Sequence, residues 1–250
     1  DGFRDIAVGG DGAALKLTYN NDKYGEFDFN FSRGKSPIDS DDSEVILSKL
    51  AQGDIEHELD TQASVYWRPV FSQWRFGLTL LDSEFNYKNE SPDFFVDGRF
   101  VFQFYTVNAI YEGEHWEFTS EILQTRFLTE GFYAAQFNQV NIGQGGYVQA
   151  VYKVNQRLKF ISRFENFYAN KDDKKGRQLQ QQSFGTIPYY FAYQHDKMLG
   201  FSYDFSDNLR VNAEYHWVKG AARVNPIVLP NPEANSEHWK MWALQLMYWF

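Results

Sequence analysis

The stretch LRVNAEYHW, residues 209 to 217, puts an apolar side chain on every second position. Leu209, Val211, Ala213, Tyr215 and Trp217 fall on one side, and Arg210, Asn212, Glu214 and His216 fall on the other. A β-strand turns alternate side chains to opposite faces, so this period of two reads as a strand with one greasy and one charged face. The pattern recurs along the chain. Phe27, Phe29 and Phe31 oppose Glu26, Asp28 and Asn30, while Trp74, Phe76, Leu78 and Leu80 oppose Arg75 and Thr79. Trp116, Phe118, Ser120 and Ile122 oppose Glu117, Thr119 and Glu121. Val148, Ala150, Tyr152 and Val154 oppose Gln149 and Lys153, and Leu199, Phe201, Tyr203 and Phe205 oppose Ser202 and Asp204.

Eleven such segments are expected, near 12–20, 24–34, 60–69, 73–87, 98–112, 115–127, 145–155, 156–169, 190–206, 208–221 and 238–250, with a shorter candidate at 2–8. Globular strands usually run about 5 or 6 residues. Most of these segments are longer and match the roughly 9 to 11 residues that a tilted strand needs to cross a bilayer.

Composition points the same way. The chain of 250 residues is 43% hydrophobic and 19% aromatic, yet its mean hydropathy is −0.53. Its apolar residues are therefore interleaved with polar ones, and no run approaches the ~18 to 20 that a spanning helix requires. With no cysteine there are no disulfides, thiolate metal sites or cysteine nucleophiles. The net charge of −9 argues against a nucleic-acid partner. No leader-like segment stands at Asp1; in a secreted protein that means a processed or trimmed chain, while a cytoplasmic protein stays open on this fact alone.

The connections alternate in length. Asn20-Asn-Asp-Lys23, Val70-Phe-Ser-Gln73, Gly113-Glu114, Asn155-Gln156 and Ser206-Asp-Asn208 read as tight turns. Between them lie long polar links at 35–59, 88–97, 128–144, 170–189 and 222–237. Short and long connections in alternation describe an up-and-down barrel whose two ends differ.

The end of the chain, MWALQLMYWF at 241–250, completes the picture. Phe250 is terminal, and Tyr248, Leu246, Leu244 and Trp242 precede it on alternate positions. In this ending, its alternation and its loop asymmetry, the chain resembles bacterial outer-membrane β-barrel proteins of the porin type. The resemblance implies an outer-membrane location and a last strand that carries the signal read by the barrel-assembly machinery. It also implies closure of that strand on the first, with Phe250 at the periplasmic rim. Physics agrees. Every backbone amide in hydrocarbon needs an internal partner, so a spanning sheet must close. Aromatic girdles at the two interfaces account for Tyr19, Trp67, Trp74, Tyr111, Trp116 and Tyr152 beside the short turns. Counting back from Phe250 puts every tight turn on the periplasmic side and makes 12–20 a descending strand. An ascending strand at 2–8 then gives a single transmembrane antiparallel barrel of about twelve strands over residues 1–250.

Charged residues projected onto the inner face are the candidate pore lining: Lys153, Arg157, Lys159, Arg163, Arg210, Glu214, Glu26, Asp28, Glu117, Glu121, Arg75 and Arg68. Arg157, Lys159 and Arg163 are expected to form a basic ladder which, with Lys153 and Arg210, makes a basic wall. Carboxylates on distant strands would set a transverse field across a polar lumen. These groups alternatively pair with one another and fill a narrow barrel.

Residues 41–51 read as a short helix, with Asp41 and Glu44 spaced as a capping box. This helix either folds inward as a constriction or packs on the rim. The link 170–182 reads as a charged, solvated loop whose basic residues suit lipopolysaccharide phosphates.

An enzyme reading rests on His195-Asp196 and on Ser202, among the five histidines His57, His115, His195, His216 and His238. No local serine motif supports it, and no two histidines have metal-ligand spacing. No catalytic, cofactor or metal site is therefore expected. The sequence reads as a porin for passive diffusion of small hydrophilic solutes, with anions favoured by the basic wall. Its partners would be outer-membrane lipid and lipopolysaccharide, the solute and the assembly machinery, with an oligomer allowed. A docking barrel without an open pore is the remaining alternative.

Overall fold

The computed structural model describes residues 11–35, 53–90, 93–224 and 231–250. Eleven strands make one sheet in sequence order: β1 (Asp11–Asn21), β2 (Gly25–Lys35), β3 (Asp54–Arg68), β4 (Trp74–Lys88), β5 (Gly98–Glu112), β6 (Trp116–Gly131), β7 (Asn138–Lys153), β8 (Leu158–Tyr168), β9 (Tyr193–Ser206), β10 (Leu209–Gly220) and β11 (His238–Tyr248). Every neighbouring pair is antiparallel. All eleven expected segments are strands.

Ten antiparallel steps leave β1 and β11 running in the same direction. Among the described residues no strand pairs with the outer edge of either, so the sheet is not closed there. Of the expected twelve strands, eleven are seen among the described residues. The candidate strand at 2–8 and the helix at 41–51 lie outside the described residues.

The odd–even alternation becomes two distinct faces. On the apolar face, Leu17, Leu78, Ile122 and Leu246 are 54, 41, 70 and 68% exposed. So many large exposed apolar side chains in one continuous band suit hydrocarbon and not water. At the short-turn edge of the band, aromatic rings form an unbroken series across seven strands. Tyr19 meets Phe27, Phe27 stacks on Trp67, and Trp67 meets Phe76, which stacks on Trp74. Trp74 meets Tyr111, Tyr111 meets Phe118, Phe118 stacks on Trp116, and Trp116 meets Tyr152 at 4.7 Å. Rings with one polar atom favour the membrane–water interface, which fixes the depth of this edge.

Toward the long-loop end the same face becomes polar. Arg99 bonds Glu84 at 2.5 Å and Glu130 at 3.0 Å, and Gln103 donates to Asp82. The strands therefore continue past the hydrocarbon into water. This corrects the expected link at 128–144, most of which is strand in β6 and β7.

The link at 170–182 is also more built than its charge suggests. Asp173, 8% exposed, accepts the backbone amides of Arg177 and Leu179 at the start of a short helix, α1 (Arg177–Gln182). In the β1–β2 turn, Gly25 has φ 99°, and a Cβ there would lie 2.0 Å from the Arg68 carbonyl oxygen. Only glycine allows that close pass.

The buried apolar clusters of the described residues both sit at the long-loop end. Ile55, Tyr87, Phe100 and Phe132 make one, and Tyr190, Phe191, Tyr193 and Ala221 make the other. The middle of the second face mixes charged residues with buried apolar ones such as Leu123, Val151 and Met198.

Candidate functional site

The site is built by register. One row of side chains on the polar face runs Glu121 on β6, Tyr147 on β7, Glu165 on β8 and Asp196 on β9, each opposite the next. Parity puts all four on the same face, and cross-strand neighbours lie about 5 Å apart, so three carboxylates share one band. Glu165 and Asp196 are each 9% exposed. Carboxylates withdrawn from water need compensating charge or donors.

Arginines supply it. Glu165 takes an ion pair from Arg223, in the link after β10, and lies 3.9 Å from Arg163 Nε on its own strand. Each guanidinium also lies over a ring: Arg163 over Tyr147 and Arg223 over Phe167, at 6.0 and 5.4 Å from the centroids. Phe167 can lie flat because its partner position on β7 is Gly145, where a Cβ would come within 3.0 Å of the ring.

One step along, His216 of β10 is 3% exposed. Its Nδ1 is 2.8 Å from Asp196 Oδ2 and its Nε2 is 3.3 Å from Glu214 Oε2.

The remaining expected lining residues also lie on this face, mostly in pairs. Lys153 bonds Glu117 at 2.7 Å, and Arg68 bonds Glu112 at 3.2 Å. Arg210 holds Asp204 with two contacts, 2.5 and 3.1 Å. Arg75 stacks over Tyr66, and Asp28 accepts from Thr18. Glu26 stands opposite Arg68 in register, and Lys159 stands opposite Ser202. Arg157 precedes β8 in the turn, so the ladder begins one residue later than expected. The basic wall is thus interleaved with acids. Near the short-turn end, however, Arg157, Lys159 and Arg210 gather their charge around the single carboxylate of Asp204.

Reading from sequence missed Arg223, Asp196 and Asp204 as members of these clusters. Arg223 sits in a link with no periodicity to project. The acids were visible as inward positions, but their partners depend on register.

The pairing His195-Asp196 does not act as a unit. His195 turns to the opposite face of β9, where it bonds Asn166 and lies between the rings of Tyr168 and Tyr193. Among the described residues no cluster of three metal-ligating side chains occurs.

No protein-family model matches this chain, and no curated protein is significantly similar to it. Solved structures are similar in fold. The outer-membrane channel DcaP of Acinetobacter baumannii matches with a TM-score of 0.58 at 9% identity, over 94% of this chain and 61% of that one. A loop L8 deletion mutant of OmpT, an outer-membrane protein of Vibrio cholerae, matches with a TM-score of 0.50 at 13% identity, over 94% and 62%. The chain therefore spans about three fifths of the length of these proteins. Its all-antiparallel sheet, belted by exposed apolar residues, has the fold of bacterial outer-membrane β-barrel proteins of the porin type and is fitted to that membrane.

Proposed function

We propose that this protein is an outer-membrane channel through which small hydrophilic solutes diffuse, with no cofactor and no energy input. One observation carries the reading: the face opposite the lipid-facing belt bears charged residues along its middle, among them Glu165, Asp196 and Arg163. The parallel course of β1 and β11 supports closure by one further strand, which makes the barrel twelve-stranded and places residues 1–250 in one domain. Anions are favoured on the side of the short-turn mouth where Arg157, Lys159 and Arg210 surround Asp204.

Single-channel recording in planar bilayers tests the proposal. Discrete conductance steps with an anion-selective reversal potential are expected, and replacing Arg157, Lys159 and Arg163 by Ala lowers the anion preference. Absence of steps refutes the channel. Hydrolysis of lipid or peptide by the purified protein would favour the enzyme reading, which draws little support from His195 and Ser202 on opposite faces of β9.

A further inference from the structure

We propose that Asp196, His216 and Glu214 form a proton-binding site in the channel wall, and that its occupancy sets the charge selectivity of the long-loop half of the lumen. This rests on the channel reading and adds a regulator to it.

The geometry is specific. Each nitrogen of the His216 ring faces a carboxylate oxygen, Asp196 Oδ2 at 2.8 Å and Glu214 Oε2 at 3.3 Å, and the ring is 3% exposed. An imidazole donates from both nitrogens only as imidazolium; the neutral ring keeps a lone pair on one of them. Losing the proton therefore turns one of these contacts into lone pair against carboxylate. Asp196 sharpens the demand, because its Oδ1 is buried with no hydrogen-bond partner among the described residues. Among the described residues the His216 ring is the only side chain bonded to that carboxylate.

The surroundings do not buffer the change. On β9 the residue opposite His216 is Met198, and Asp196 is the charged neighbour. On β11 the polar face offers Trp239, Met241, Ala243, Gln245 and Met247, none of which titrates. On β8 Glu165 is taken by Arg163 and Arg223, with Glu121 beyond it across Tyr147. Four carboxyl groups thus face two guanidiniums, and the His216 proton makes this stretch of wall more positive by one charge. In a narrow lumen one fixed charge at this depth biases which ion sign passes.

The test is reversal potential under a salt gradient, measured against pH for the purified protein in planar bilayers. The wild type is expected to shift toward cation selectivity in one step as pH rises, and H216Q is expected to lose that step while still conducting. E214Q, which leaves the ring and Asp196 in place, is expected to reduce the step without abolishing it. A flat wild-type profile, or an unchanged step in H216Q, overturns the proposal.

If no conductance is found, the channel reading fails by itself, and the site is judged separately by 15N spectra of histidine-labelled protein in detergent. A doubly protonated ring signal that titrates away and is missing from H216Q upholds the site. A ring neutral at every pH at which the barrel stays folded overturns it. Retention of the compact band on unheated gels checks that each variant folds.

Discussion

Glu165 of β8 and Asp196 of β9 stand directly opposite each other in register on the polar face, each only 9% exposed. Like charges so placed repel, and cross-strand carboxylate pairs are normally destabilising. Each has its own partner: Arg223 and Arg163 stand beside Glu165, and the His216 ring stands beside Asp196.

Removing one cation should expose that conflict. Arg223→Ala leaves Glu165 with Arg163 at 3.9 Å and unmasks its repulsion with Asp196 and Glu121. A loss of about 1–3 kcal/mol is expected, as for other withdrawn charges left partly paired. The double variant Arg223→Ala with Glu165→Gln should recover most of it. Denaturant midpoints in detergent or bilayer measure both.

The lipid-facing belt gives a second expectation. Leu78 and Thr79 are adjacent on β4, but Leu78 is on the exposed apolar face and Thr79 on the polar one. Arginine near the hydrocarbon midplane costs roughly 2–4 kcal/mol on the lipid side of a barrel and far less in the lumen. Leu78→Arg should therefore impair insertion into vesicles while Thr79→Arg leaves it nearly unchanged. Equal effects would contradict the assignment of faces.

The aromatic series at the short-turn edge should contribute as a connected unit. Trp116 stacks on Phe118 with planes 4° apart and meets Tyr152 at 4.7 Å. Aromatic pairs add about 0.5–1.5 kcal/mol each beyond their area. Trp116→Ala should lose both contacts, about 1–3 kcal/mol together, and Trp116→Phe should keep much of that. Unfolding midpoints in vesicles distinguish the two.

At the outer end, a pH-dependent latch joins the link after β8 to the approach to β11. Glu237 accepts hydrogen bonds from the Tyr193 hydroxyl at 2.6 Å and the Tyr189 hydroxyl at 2.9 Å, and Lys219 lies 3.5 Å away. The Tyr193 bond, chiefly, holds the Glu237 carboxyl below its ordinary value, against the opposing effect of burial; Tyr189 and Lys219 add to the lowering. A carboxyl lowered in the folded state stabilises it above the unfolded value, and that stability is lost as pH falls through the folded one. Amide protection in residues 186–193 and 232–238, taken relative to the intrinsic exchange rate at each pH, should therefore fall under acid conditions. Glu237→Gln should show the lower protection already at neutral pH, with no further acid step.

Much of this architecture is legible in residue order because lipid and water impose a period of two on every strand between them. Leu209 to Trp217 and the ending on Phe250 show this most clearly. The rule stops where the lipid stops. β6 and β7 run on beyond it, with Arg126, Glu130 and Asn138 among polar neighbours, so their outer thirds looked like loop. β5 blurred the rule differently, since Phe100, Phe102 and Phe104 lie on the face that is charged elsewhere.

What sequence alone determined is which half of each strand is greasy, and hence the membrane fold. What only the tertiary structure decided is which charges meet. Alternation constrains each strand separately, whereas Arg223 beside Glu165, or His216 between Asp196 and Glu214, depends on register between strands and on the course of a link. Hydrogen bonding across the sheet sets both, and no single segment of the chain records them.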